Sequence, residues 1–185
     1  MKALVKKDSV PGFKMVDHAK PVLGLHEVLI KILRTSLCGT DLQLYQSKEP
    51  FFNNGASAIM GHEFVDEIVD ICPTVKGYEA GQFVSGETQL FCGHCRPCLQ
   101  GHDEPCFSEA YTGITRPGVF AEYVALPVSA IWVHPPDIDL DIATLFEPLG
   151  NAVHAAMQCE LVGKAVIIFG ASSEGLMAAA VCHYS

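Results

Sequence analysis

Up to Pro136 the apolar residues of this chain come in short bursts separated by turn formers. Lys2–Val5, Glu27–Leu33, Phe64–Ile71, Gln82–Ser85, Phe120–Leu126 and Ile131–Val133 are rich in Val, Ile, Leu and Phe. Pro11-Gly12, Asn53-Asn54-Gly55 and Arg116-Pro117-Gly118 lie between them, where glycine and asparagine tolerate turn backbone and proline pre-sets it. Bursts of this kind, punctuated this way, predict strands. Many strands and little helix predict a mainly β, partly open barrel-like domain with some α structure.

After Pro135-Pro136 the pattern changes. Leu149, Ala152, Val153, Ala156 and Met157 recur at helical spacing and predict one helix with a single apolar stripe. Ala165–Phe169 is a continuous apolar run, expected of a strand buried on both faces of a parallel sheet. Gly170 follows, and Ser172 or Ser173 is placed to cap a helix running to the last residues. One parallel strand needs neighbours, so this stretch is expected to be the opening of an unfinished α/β unit. No internal repeat or low-complexity segment interrupts the chain.

Composition narrows the function classes. A formal net charge of -9 over 185 residues argues against a nucleic-acid surface, which needs a basic patch to displace counterions. The start, Met-Lys-Ala-Leu-Val-Lys-Lys-Asp, holds no apolar run long enough for a signal peptide, and no stretch reaches the length of a spanning helix. Neither nucleic acid nor membrane is therefore an expected partner. Half of the eight cysteines fall in one loop, so reduced thiols in the cytoplasm are a simpler expectation than a secreted disulfide scaffold.

That loop reads Cys92-x2-Cys95-x2-Cys98-x7-Cys106, with Gly, Pro and Arg among the intervening residues. Four thiolates so close together are soft donors that close a tetrahedral zinc site, leaving no position for water. Such a site shapes a loop and performs no chemistry. An iron–sulfur cluster is the rival, because Cys-x2-Cys-x2-Cys also opens a ferredoxin motif. There the fourth cysteine follows after three residues and precedes proline; here it follows after seven and precedes Phe107.

A second constellation is Leu37-Cys38-Gly39-Thr40-Asp41 with Met60-Gly61-His62-Glu63. Cysteine, histidine and carboxylate are the donors of a catalytic zinc site, which keeps one position open. Singly, Cys38 reads as buried packing, Gly-His-Glu as a turn, and Glu147 as a first-turn acid favoured by the helix dipole. Together with the four-cysteine loop, however, they occur in one order. Cys-Gly-Thr-Asp, Gly-His-Glu, the knuckle, Gly118-x-Phe-Ala-Glu-Tyr123 and Glu147-Pro-Leu-Gly-Asn-Ala-Val-His154 resemble the zinc-dependent medium-chain alcohol dehydrogenases. Within that superfamily the chain most resembles the L-threonine 3-dehydrogenases, with sorbitol-type polyol dehydrogenases next.

The resemblance implies a GroES-like catalytic domain over residues 1–147. Residues 148–185 would be a connecting helix and the start of an NAD-binding Rossmann domain. It implies Cys38 and His62 as ligands of a catalytic zinc, with Glu63 or Glu147 completing or exchanging at the site. Asp41 would orient His62, and Thr40 would hydrogen-bond the reacting hydroxyl. Gly170 and Gly175 would serve the cofactor, and Cys92, Cys95, Cys98 and Cys106 would hold a structural zinc. The implied reaction oxidises a secondary alcohol to a ketone; the small-molecule substrate is an alcohol such as L-threonine or a related 2-amino-3-hydroxy compound, and NAD accepts the hydride. A non-catalytic zinc module or degenerate relative is the alternative, and a polyol dehydrogenase fragment a further one.

Departures from the family pattern bear on activity. Gln43 stands where a histidine often relays the proton, and Gln89 where close relatives carry another histidine. Asp66 and Cys72 replace glycines. The turn Gly170-Ala-Ser-Ser-Glu-Gly175 has Ser172 as its middle residue and Glu174 near the pyrophosphate position. The expectation is therefore weak NAD binding, little turnover by this chain alone, and cover for the strand Ala165–Phe169 through a homo-oligomer. Arg116 reads as a solvated turn arginine more readily than as a partner for a substrate carboxylate.

Overall fold

Antiparallel ladders carry the fold of this computed structural model, which describes residues 1–7, 10–47, 58–103 and 105–185. The expected turn at Asn53-Asn54-Gly55 lies outside the described residues. Strands β3 (Glu27–Thr35), β5 (Phe64–Ile71), β6 (Phe83–Gly86), β9 (Tyr123–Pro127) and β10 (Ile131–Val133) form a five-stranded sheet in the order β10-β6-β5-β3-β9. A three-stranded sheet sets β1 (Lys2–Lys6) between β2 (Lys14–Asp17) and β4 (Ala58–Ile59), and β7 (Gln89–Leu90) pairs with β8 (Ala110–Tyr111). The sheets curl toward one another without closing, giving the mainly β, partly open architecture expected from the strand pattern. Val28, Ile30, Phe64, Ile68, Val84, Val124 and Leu126 meet in one buried cluster, because alternate residues of neighbouring strands share a face.

The two longest strands match expectation closely, and β5 and β10 have the expected bounds. The short strands β2, β4, β7 and β8 are too brief to leave a period in the sequence. The run expected from Phe120 begins as a strand only at Tyr123. Residues 118–120 instead lie along 59–61, through Gly118 N–H to Ile59 O (2.8 Å), Val119 N–H to Gly61 O (3.0 Å) and Phe120 N–H to Met60 O (2.7 Å). This seam explains the glycine of Gly-x-Phe-Ala-Glu-Tyr. A Cβ on Gly118 would stand 2.2 Å from the Gly61 carbonyl oxygen. Gly61 itself has φ +85°, and a Cβ there would meet the Phe120 ring at 2.3 Å.

Asp66 has a structural role that the glycine comparison did not suggest. The β3–β5 register passes from Lys31 opposite Glu67 to Arg34 opposite Val65, so two residues of β3 face Asp66 alone. Such a bulge frees backbone N–H groups in the sheet interior. The fully buried Asp66 carboxylate accepts from Leu33 N–H and, at 3.1 Å, from Arg34 N–H. Burial pushes its pKa up to about 8, against the lowering effect of those two bonds. Cys72, the other replacement, packs in the core beyond β5 with its thiol 3.2 Å from Thr74 Oγ1.

Helices follow the last strand. α3 (Leu140–Ala143) is capped by Asp139, which accepts from Asp141 N–H at 2.9 Å. α4 (Phe146–Ala156) buries Pro148, Ala152 and Ala156 and packs against α5 (Ser173–Tyr184). Ser172 caps α5, its hydroxyl accepting from Gly175 N–H at 3.3 Å. One expectation fails here. Ala165–Phe169 forms no ladder among the described residues, and Phe169 is 95% exposed. A parallel strand gains its backbone bonds and its cover only from neighbouring strands, and no described strand runs beside it. Among the described residues no helix is long and apolar enough to cross a membrane.

Two outcomes follow from the seam and the bulge. Gly118→Ala should destabilise the fold by about 1–3 kcal/mol, because the contacted atoms are backbone and yield poorly; an unchanged urea midpoint would contradict this. For Asp66 the folded pKa lies above the unfolded one, so its contribution is fully present below about pH 4 and is lost as pH rises through about 8. Asp66→Asn keeps the acceptor oxygen and cannot ionise. It should remove that part of the pH dependence and raise stability above pH 8, read by denaturation at pH 5, 7 and 9.

Candidate functional site

Each donor of the second constellation is delivered by a distinct backbone device. β3 ends at Thr35, and the chain turns through Ser36 into α1 (Gly39–Tyr45), with Cys38 at its N-cap in extended conformation. Asp41, at the third helical position, accepts from Cys38 N–H at 3.0 Å, and this closes the entry to the helix. His62 and Glu63 follow Gly61 directly, held by the glycine seam on one side. On the other side Thr35 Oγ1 donates to Glu63 O at 2.7 Å, and Ser36 N–H donates to it at 3.2 Å. Cys38 Sγ, a His62 ring nitrogen and a Glu63 carboxylate oxygen consequently lie within 4.8 Å of one another.

Charge around this trio converges on His62. His62 and Glu63 are each only 4% exposed. Burial by itself lowers the His62 imidazole; the bond to Cys38 and the charges of Asp41, Cys38 and Glu147 outweigh it and hold the ring at about 8. A proton resides there because negative donors surround it, and a cation would satisfy the same donors. Sulfur, nitrogen and carboxylate oxygen together fit zinc. Asp41 acts differently from expectation. Its Oδ2 binds the Cys38 backbone, its Oδ1 is buried without a hydrogen-bond partner among the described residues, and it reaches His62 through charge. Burial raises its pKa.

Glu147 stands beside the trio and outside it. In the first turn of α4 its Oε1 accepts from Thr88 Oγ1 at 2.6 Å and from Asn151 Nδ2 at 3.4 Å. Burial pushes its carboxyl up, with the Thr88 bond and the His62 charge opposing. Ser36 Oγ donates in the same way to Glu63 Oε2. Neither hydroxyl was visible in the sequence as a site residue, because a single Ser or Thr in a connecting segment leaves no spacing to read.

These groups open onto a cleft of about 1240 Å³, whose lining includes Cys38, Thr40, His62, Thr88, Gln89 and Glu147. Thr40, in the first turn of α1, lines the same cleft as Cys38 and His62. Gln43 is exposed on α1 and takes no part in the lining. Gln89 does line it, tied to Glu109 (2.9 Å) and to the Tyr111 hydroxyl (3.3 Å). Arg116 is half-buried and paired: it meets Glu27 at 2.6 Å, with side chains 33% and 14% exposed. Gly170 and Gly175 close one turn, in which a Cβ on Gly175 would meet Gly170 O at 2.5 Å.

The four-cysteine loop is the second cluster. α2 (Arg96–Leu99) starts at the Cys95 N-cap with Pro97 in its first turn, and Gly93 and Gly101 take positive φ on either side. Sulfur separations are 3.4 Å for Cys95–Cys98, and 4.0 Å for both Cys92–Cys98 and Cys95–Cys106. One tetrahedral zinc with bonds of about 2.3 Å needs sulfurs about 3.8 Å apart. An iron–sulfur cluster, with several irons between the thiolates, would hold them farther apart, so the spacing favours a single ion. Cys92, Cys95 and Ser108 N–H groups point at the sulfurs at 3.3–3.4 Å. Bonds from backbone groups lower the Cys95 thiol to about 6, whereas burial first and the neighbouring thiols next push Cys98 up to about 12. Four thiols this close cannot all ionise without a cation among them.

Known proteins resemble this chain in sequence and fold. The alcohol dehydrogenase GroES-like domain matches residues 24–136. L-threonine 3-dehydrogenases from Streptomyces coelicolor and Shewanella woodyi are 47% and 44% identical to the whole chain, which covers 54% of each. The chain thus spans about half the length of the curated relatives it matches. Galactitol-1-phosphate dehydrogenase from Escherichia coli superposes over the full chain and 53% of its own, with a TM-score of 0.84 and 30% identity. Alcohol dehydrogenase TADH from Thermus sp. ATN1 does so with a TM-score of 0.86 and 25% identity, over the full chain and 55% of its own. Fold, donor clusters and relatives agree, and the chain belongs to the zinc-dependent medium-chain alcohol dehydrogenase family, whose GroES-like domain it carries.

Proposed function

We propose that this chain is the zinc-bearing catalytic part of an NAD-dependent alcohol dehydrogenase of the L-threonine 3-dehydrogenase type, oxidising a secondary alcohol to a ketone. The observation that carries this reading is the trio Cys38, His62 and Glu63, gathered within 4.8 Å, with Cys38 and His62 lining the cleft. A chain 47% identical to L-threonine 3-dehydrogenase over its whole length supports the substrate class. In this reading residues 1–147 form the catalytic domain. Residues 148–185 open the nucleotide-binding domain, with the Gly170–Gly175 turn toward the cofactor.

A zinc ion held by Cys38, His62 and Glu63 would acidify a hydroxyl bound in the cleft. The other roles fall to this chain's own side chains. Thr40 takes a hydrogen bond from the substrate hydroxyl and fixes its direction. Glu147, kept near by Thr88, adds negative charge beside His62 and stabilises positive charge in the site. The proton released on oxidation leaves by a route that does not use Gln43, because that amide lies outside the cleft lining. Cys92, Cys95, Cys98 and Cys106 would hold a second zinc beside the β7–β8 pair.

Metal analysis separates the two sites. The intact chain should hold about two zinc ions; Cys38→Ser should lose one and keep sulfur-only coordination in X-ray absorption. Cys98→Ser should lose the other. A mild chelator should empty the Cys38 site first, because a closed four-sulfur cage releases its ion more slowly than an open one. Retention of both ions by Cys38→Ser would sink the reading. The substrate class is checked by NADH formation from L-threonine and from polyols by a polypeptide carrying this sequence, and L-threonine should be preferred.

A further inference from the structure

Two carboxylates compete beside one metal position, and each is held by a single hydroxyl. Cys38 thiolate and one carboxylate already supply two negative charges, enough to neutralise a divalent ion. A second carboxylate would fill the open position that a catalytic site must keep. Glu63 lies inside the trio, and its Oε2 accepts from Ser36, which stands two residues before Cys38. Glu147 lines the same cleft and feels the charges of both His62 and Glu63, yet it stays outside the trio.

The asymmetry has a visible cause. Thr88, at the end of the β6–β7 connection, directs its only hydroxyl proton to Glu147 Oε1 at 2.6 Å. Asn151, one turn farther along α4, adds a longer bond to the same oxygen at 3.4 Å. Thr88 is itself anchored, because its carbonyl accepts from Thr112 N–H at 2.9 Å and ties it to the segment after β8. We propose that Thr88 is a positioning residue that latches Glu147 off the metal, so that the fourth coordination position remains free for an exogenous oxygen or nitrogen ligand. Ser36 serves Glu63 in the opposite sense and holds it on. This rests on the reading of Cys38, His62 and Glu63 as metal ligands.

Cobalt as a spectroscopic probe and azide as a small ligand test the latch without turnover. The 185-residue chain is loaded with cobalt, and its spectrum is taken as a difference against Cys38→Ser, which cancels the four-cysteine site. Azide should perturb the wild-type cobalt bands. In Thr88→Val, of nearly the same volume but without the donor, Glu147 should swing in. The bands should then differ before azide is added, and azide binding should weaken about 10-fold or more, in line with the effect of other outer-shell partners. Thr88→Ser should restore the wild-type response, and Thr88→Val/Glu147→Gln should recover azide binding. Four-cysteine metal content and the thermal midpoint of each variant establish that it is folded. Wild-type bands and azide affinity in folded Thr88→Val would overturn the latch and leave the metal ligands standing. A difference spectrum without a thiolate-to-cobalt transition would overturn both the latch and the ligand assignment.

Discussion

The approach of residues 118–120 to residues 59–61 is the contact on which the rest of the site depends. Three backbone hydrogen bonds run along it, and glycines at positions 61, 113 and 118 let the chains come closer than any side chain would permit. The same segment continues as β9 on one side and as His62 on the other. One close contact therefore joins the five-stranded sheet to His62. Leu4 extends it, accepting from Met60 and donating to Phe120, so that β1 is locked to the same seam. The position of His62 relative to Cys38 thus follows from backbone packing and owes little to flexible side chains.

Around that fixed point the site concentrates negative charge in a buried place. Cys38, Asp41 and Glu147 act on one imidazole, and together they outweigh its burial and raise the His62 pKa to about 8. The four-cysteine loop meets the same problem differently, with backbone N–H groups aimed at sulfur and protons retained on some thiols. Both clusters bring together donors that could hold one ion.

The parts of this structure that were legible in the sequence are those that repeat or match a spacing. Long strands such as β3 and β5 announced themselves through apolar runs. The two donor clusters showed through residue type and interval. Helix α5 showed through its Ser172 cap. What stayed hidden depends on contacts across the fold: the two-residue strands, the hydroxyls of Ser36 and Thr88, and the role of Asp66 in a bulge. Ala165–Phe169 was misread for a related reason, since composition reports that a segment is apolar and says nothing about the neighbours that would bury it. The sequence reads Arg116 as a solvated turn arginine because its partner, Glu27, lies 89 positions away in the chain.

The lobe that carries the four cysteines is small. Its regular structure amounts to the short β7–β8 pair and the four-residue helix α2, and Leu90 and Cys106 are among its few buried apolar residues. So little core holds a lobe together poorly, and an ion bound by the four cysteines would take its place. The lobe should therefore open as a local unit, governed by free metal activity, while the five-stranded sheet remains folded. Thr88 sits immediately before β7 and is fastened to the residue after β8. Opening the lobe would carry Thr88 away from Glu147, so an ion held by the four cysteines would govern, through one hydroxyl, the charge presented beside Cys38 and His62.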